Sequence, residues 1–342
     1  MNGKERAGAA LARRPTDRPA VLPILHSGLP PLFGVPLGDY FTSATTMAGV
    51  IVRGYRTFGY DGVQLSLGVT GEAEALGARV EQPADGAPIL RSHLIPELDD
   101  PAALDRALAA LRARDAAAGG RLPLYYEAVG RTVDEIGAEA YVLAMLRGPL
   151  LAASQLCGVE PLLIATVTHP QAVEQVLDYT VELALALGQW LRGSGAHGLV
   201  LGEATCSPNF ISPRAYRRLV QPRHRALVAG LKAAGWDDVG LHICGNLVPI
   251  FEGVVDTGVT FADIDYQVDA ATALRLADGR IALRGNLDPS AVFRFGRPEA
   301  VRAATGALIG SVGEARGWIL SSGCDIPPGT PADNIHAFVA CR

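Results

Sequence analysis

His242 and Cys244 stand two residues apart in Leu241-His242-Ile243-Cys244-Gly245-Asn246, at the end of an apolar run that reads as a β-strand. Side chains two apart on a strand project to the same face, so an imidazole nitrogen and a thiol sulfur can share one ion. These are the donor types zinc prefers. A third donor, Cys324, comes just after another strand-like run in Ser321-Ser322-Gly323-Cys324-Asp325. Three protein ligands leave one coordination position open, which is the arrangement of a catalytic zinc rather than a structural one. A substrate thiol in that position would lose its proton at neutral pH, where a free thiol near pKa 8.5 is mostly protonated. The bland alternative is a buried histidine beside a small apolar cysteine with no metal between them. The remaining cysteines, at 157, 206 and 341, bring the total to five, an odd count that argues against a disulfide framework in a chain of this length. Cys206 reads as a loop bystander, Cys157 as helical and Cys341 as terminal.

The elements that must carry these donors alternate. Short runs rich in Val, Ile and Leu at 22–27, 62–67, 122–130, 198–204, 239–244, 261–265, 281–287 and 317–322 read as strands. Helical stretches fall between them at 101–118, 171–193, 213–234 and 298–311; the first opens on Pro101 after Asp99 and Asp100 and stops at Gly119-Gly120. Such alternation predicts a parallel α/β sheet, either closed as a barrel or open and doubly wound. No G-x-G-x-x-G comes after the first strand and no G-x-x-x-x-G-K-[ST] occurs, so the nucleotide-binding open sheets lose their best support. The polar residues also collect at the C-terminal ends of the strands: Glu203, His242 with Cys244, Asp263 with Asp265, Asn286 with Asp288, and Cys324. In a (β/α)8 barrel that face holds the active site. The expected architecture is therefore α/β, a single (β/α)8 TIM barrel over 19–342 preceded by a disordered tail over 1–18.

With 49% hydrophobic and 19% charged residues the chain is that of a globular protein with a sizeable core. Its net charge of −5 offers no general attraction for nucleic acid or an anionic membrane. No uninterrupted apolar run is long enough to span a bilayer, and the basic, Ala-rich N-terminus lacks the apolar core of a secretory signal. A cytoplasmic protein acting on small molecules is expected.

Three stretches carry a resemblance: His242-Ile243-Cys244-Gly245-Asn246, Arg284-Gly285-Asn286-Leu287-Asp288-Pro289, and Ile319 to Pro331 with Asn334-Ile335. With weaker echoes at Phe58-Gly59-Tyr60-Asp61, Glu74-Ala75-Leu76-Gly77-Ala78, Gly148 to Ala152 and Ile211-Ser212-Pro213, the chain resembles the uroporphyrinogen decarboxylase superfamily from about residue 20 onward. Within it, the zinc-dependent methylcobamide:coenzyme M methyltransferase branch is the more similar. The resemblance implies a TIM barrel, His242, Cys244 and Cys324 as zinc ligands, and methyl transfer to a thiol from a corrinoid, methylcobamide, carried on a partner protein. A decarboxylase of the uroporphyrinogen type must hold eight carboxylates and calls for several arginines in its cleft. Where that branch carries R-Q-A-G-R-Y, this chain reads His26-Ser27-Gly28-Leu29-Pro30-Pro31. A zinc-dependent methyltransferase is therefore expected, with decarboxylation and zinc-dependent carbon–sulfur chemistry as rivals. Around the metal, Glu203 is either a displaceable fourth ligand or a structural carboxylate. Asp263 and Asp265 could orient His242 or bind substrate, Asn246 and Asn286 offer uncharged hydrogen bonds, and His26 and Tyr126 are expected to line the pocket.

Overall fold

The structure is a computed structural model that describes residues 1–313 and 316–342. Its main sheet has eight strands: β1 Ala20–Val21, β2 Gly62–Leu65, β3 Tyr141–Arg147, β4 Gly198–Gly202, β5 Asp238–His242, β6 Phe261–Ile264, β7 Ala282–Leu287 and β8 Trp318–Ser322. They are hydrogen-bonded in the cyclic order β1-β8-β7-β6-β5-β4-β3-β2, and every pairing is parallel. The ends of that order meet where the Asp61 N–H donates to the Val21 carbonyl (2.7 Å) and the Val21 N–H donates to Asp61 Oδ2 (2.8 Å). A sheet of this kind, closed on itself and jacketed by helices, is the expected TIM barrel.

Three expectations fail. The strand expected at 22–27 forms just before it, at Ala20–Val21. The apolar run at 122–130 is the first half of a helix, Leu122–Ile136, whose buried residues Leu122, Tyr125, Ala128, Val129, Thr132 and Ile136 recur at helical spacing. Pro123 sits in its first turn, where a missing N–H costs nothing. The third strand lies further on, at Tyr141–Arg147, buried along its whole length. Nor is the N-terminus a disordered tail, because residues Gly3–Leu11 form a helix capped by a reciprocal pair of hydrogen bonds between Asn2 and Glu5. Ala7, Ala10 and Leu11 pack on Leu22, Tyr141, Phe261, Ala282 and Ile319 at the N-terminal end of the barrel interior. Small side chains let the helix sit close to that opening, and its one buried charge, Arg6, pairs with Asp17 and Asp61 at 2.6 Å each.

The helices expected at 101–118, 171–193 and 298–311 are present as Pro101–Arg112, Pro170–Arg192 and Pro298–Val312. The one expected at 213–234 runs through a π-helical segment, Tyr216–Val220, before Gln221–Ala233. No single helix among the described residues is long and apolar enough to cross a membrane.

Candidate metal centre

Along β5 the side chains alternate, so Gly240 and His242 face the barrel interior, and Cys244 continues the row two residues past the hydrogen-bonded end. Gly245 comes next with φ of +83°, a left-handed conformation that turns the chain away just after the sulfur is placed. Its N–H donates to Asp265 Oδ2 at 2.9 Å, which fixes the turn. Three strands along the ring, Cys324 stands two residues past the end of β8. The next residue, Asp325, accepts from the His26 N–H (3.1 Å) and the Ser27 hydroxyl, and its oxygen lies 3.1 Å from His26 Nδ1. Although burial raises the Asp325 carboxyl, these contacts outweigh it and hold the group below the usual carboxylate range. The loop bearing Cys324 is thereby pinned to the loop after β1.

These backbones bring three donor atoms into one triangle. Cys244 Sγ lies 3.4 Å from His242 Nε2, Cys324 Sγ lies 3.7 Å from the same nitrogen, and the sulfurs are 3.9 Å apart. Tetrahedral zinc, with Zn–N of about 2.0 Å and Zn–S of about 2.3 Å, requires N···S separations of about 3.5 Å and S···S of about 3.8 Å. The triangle fits such an ion without rearrangement. Among the described residues it is the group of three acidic, thiol or imidazole side chains able to close on one ion.

The imidazole is oriented for the task. His242 Nδ1 is 2.9 Å from Asp263 Oδ2, so Nδ1 holds a proton toward the carboxylate and Nε2 is the nitrogen that faces the sulfurs. Asp263 in turn accepts from Arg284 Nε at 2.7 Å and Nη2 at 2.6 Å, and Arg284 Nη2 reaches Gln64 Oε1 at 2.6 Å. Burial works against a cation at His242, yet the Asp263 hydrogen bond and the Cys324 sulfur outweigh it and raise the imidazole to about 10. The hydrogen bond from Cys324 lowers the Cys244 thiol, and the same bond raises Cys324. Such a cluster stabilises positive charge at its centre; a divalent cation between two thiolates and a neutral imidazole would leave the site uncharged.

The other expected site residues divide. Asp263 orients His242, one of the two roles expected of it. Asp265 is committed to backbone, accepting from Gly245 and from the Gln267 N–H at 2.9 Å each, and Asn286 donates to the carbonyls of Asp265 (3.2 Å) and Val268 (2.6 Å). Both therefore shape the loop after β6. Asn246 is exposed at the mouth, its Oδ1 taking the Val248 N–H at 3.1 Å. Glu203 is 0% exposed and turned away from the triangle. Its oxygens accept from the Leu150 N–H (3.0 Å) and Leu151 N–H (2.8 Å), capping the helix Pro149–Cys157, and one contacts His224 Nε2 at 2.8 Å. That is the structural role rather than the fourth-ligand role. Tyr126 is outside the barrel, its ring 4.8 Å from that of Trp190, because the segment carrying it is a helix. Arg284 and Gln64 are absent from the residues expected at the site. The signal that could have found them is a charged or amide side chain inside an otherwise apolar strand, at a position whose neighbours two residues away face the interior.

The family described as Uroporphyrinogen decarboxylase (URO-D) matches residues 2–342. The chain is 26% identical to a methylcobamide:CoM methyltransferase MtaA of Methanosarcina barkeri, over 99% of this chain and 97% of that one. It is 27% identical to a methylcobamide:CoM methyltransferase MtbA of Methanosarcina mazei, over 99% and 96% respectively. A solved methyltransferase from Methanosarcina mazei superposes with a TM-score of 0.88 at 23% identity, covering 100% of this chain and 98% of the other.

Proposed function

We propose that this chain, which belongs to the uroporphyrinogen decarboxylase family, is a zinc-dependent methyltransferase that moves a methyl group from a corrinoid donor to a thiol. The observation that carries the reading is the triangle of His242 Nε2, Cys244 Sγ and Cys324 Sγ, with His242 held by Asp263. Zinc held by these three residues would supply a Lewis acid that keeps a substrate thiol deprotonated at neutral pH. The protein's own contribution is to fix the donors at the C-terminal ends of β5 and β8 and to keep the Nδ1 proton on the side away from them. Two anionic sulfurs also offset the ion's charge, which leaves an incoming thiolate more nucleophilic than a charged site would.

The relatives named methylcobamide:CoM methyltransferase support a corrinoid donor and a thiol acceptor. A partner protein presenting the corrinoid fits the mouth, where Phe210, Val248, Tyr266 and Phe295 are exposed on the loops after β4, β5, β6 and β7; Phe295 is 76% exposed. Exposed apolar side chains gathered on one face mark an interaction surface. A decarboxylase of the uroporphyrinogen type is less well supported, because it would need a cleft rich in free arginine. The strands carry two arginines, Arg147 and Arg284, and Arg284 is consumed by Asp263.

The test is to purify the protein without added zinc, measure its metal content, and monitor methylcobalamin demethylation with a thiol panel that includes coenzyme M and homocysteine. About one zinc per chain is expected, with turnover that stops on chelation and returns with zinc. If zinc is bound and no thiol exceeds the uncatalysed rate, methyl transfer from a corrinoid is wrong.

A further inference from the structure

A second buried guanidinium shares the mouth with the metal triangle, and its donors are mostly unused. Arg147 is the last residue of β3, on the row of Tyr141, Leu143 and Met145 that faces the barrel interior, and it is 5% exposed. In the sheet it pairs with Gly202, and Gly202 pairs with His242. The glycine is what lets the side chain cross: a Cβ at 202 would stand 2.9 Å from Arg147 Nη1 and 2.7 Å from Met145 Cε. The guanidinium thus lies over the one residue that separates it from a metal ligand. Arg147 Nη2 donates to Ser66 Oγ at 3.1 Å, whereas Nε is buried with no acceptor and Nη1 has none among the described residues. Glu72 takes the Arg147 backbone N–H at 2.8 Å and stands 4.0 Å from Nε, balancing charge from the rim without engaging a guanidinium N–H. Arg284 spends Nε and Nη2 on Asp263 and Gln64, which leaves Nη1 alone without an acceptor among the described residues.

Buried N–H groups are almost always paired, and a guanidinium's fork matches a carboxylate or sulfonate through two parallel bonds. Neighbouring strands lie about 4.8 Å apart, so the backbones of Arg147 and His242 are about 10 Å apart and their side chains close on the gap from either side. A short chain spans what is left, with sulfur at the metal ligands and an acidic group about two or three carbons away. We infer that Arg147 sets acceptor specificity by binding a carboxylate or sulfonate on the thiol; this rests on the thiol reading above.

The test is to substitute cobalt(II) into the protein and titrate matched thiols while watching the thiolate-to-cobalt absorption band. 3-Mercaptopropionate is compared with 3-mercaptopropanamide, and 2-mercaptoethanesulfonate with 2-mercaptoethanol. The acidic member of at least one pair should bind about 10- to 100-fold more tightly, and the pair with the larger ratio tells carboxylate from sulfonate. In Arg147→Gln the ratio should fall to within about threefold while the cobalt d–d spectrum is retained, and Arg147→Lys, which keeps the charge without the fork, should fall between. Equal binding within both pairs by the unaltered protein, or an undiminished ratio in Arg147→Gln, overturns the inference and leaves the thiol reading standing. A cobalt band that no thiol perturbs overturns both.

Discussion

Replacing Asp263 by asparagine separates what the carboxylate does for the metal from what it does for the fold. Asp263 accepts one hydrogen bond from His242 and two from Arg284, all within 2.9 Å. An asparagine of the same shape keeps one acceptor oxygen and puts an amide N–H₂ where a second was. His242 then loses the anion that fixes its tautomer, and partners of this kind are worth about 10- to 100-fold in metal affinity, or about 1.4 to 2.7 kcal/mol. Arg284, 0% exposed, loses its counter-charge, and an uncompensated buried charge costs about 3 to 5 kcal/mol of folding stability. Zinc affinity is read by competition with a chromophoric chelator, stability by urea unfolding of the chelated protein. Asp263→Asn should lower both. Adding Arg284→Met should restore most of the stability, since the stranded cation is gone, but none of the zinc affinity. Zinc affinity within about twofold of the unaltered protein in Asp263→Asn would refute the assignment of His242 as an oriented ligand.

Cys324→Ser should lower zinc affinity about 100-fold or more while the chelated protein unfolds at nearly the same urea concentration, because barrel and ion are held by different residues; parallel loss of fold and metal would count against this. Leu11→Ala should cost about 2 to 5 kcal/mol in urea unfolding, since Leu11 is 1% exposed under the barrel, whereas a dispensable tail would show no change. His197, half-buried before β4, is pushed down to about 4 by burial, with Lys4 and Arg192 adding to the shift. Its folded value lies below the unfolded one near 6.5, so the unfolded chain takes up the proton first and stability declines as pH falls from about 6.5 to about 4. In His197→Asn, whose amide oxygen can still accept the Val142 N–H, that part of the acid sensitivity should vanish from urea midpoints measured across the window.

Six of the eight barrel strands are legible because each is a short apolar run closed by a polar residue or a glycine, and a seventh, Ala20–Val21, lies just before the run read at 22–27. The eighth, Tyr141–Arg147, is masked by the helix on its C-terminal side. Only Arg147-Gly148 separates its Val, Leu, Ala and Met from the equally apolar Pro149–Cys157, and a strand buried on both faces lacks the alternation that would mark it. Leu122 to Gly130 imitates a strand instead, with Tyr125, Tyr126 and Val129 supplying β-forming side chains that tertiary packing places on a helix. The N-terminal helix escapes sequence reasoning for a related reason. Alanine-rich, charge-flanked sequence carries little apolar area of its own, and its ordering comes from the barrel end it covers. At the site, spacing on a strand is enough to pair His242 with Cys244. It does not tell which carboxylates face the cleft and which turn to a helix N-terminus or a loop, as Glu203 and Asp265 do.

The ligands come from two strands that are separated in the ring by β6 and β7. His242 and Cys244 belong to β5 and its loop, Cys324 to the loop after β8, the last strand made, whose place is set by its seam with β1 near the start of the chain. During synthesis, then, about nineteen-twentieths of the polypeptide must be complete before a third donor exists, and ring closure must precede capture of the ion. A chain ended early by a premature stop or trimmed from its C-terminus would retain two donors on one wall and hold zinc poorly. Metal content per chain would accordingly serve as a measure of how much of a preparation has reached the closed ring.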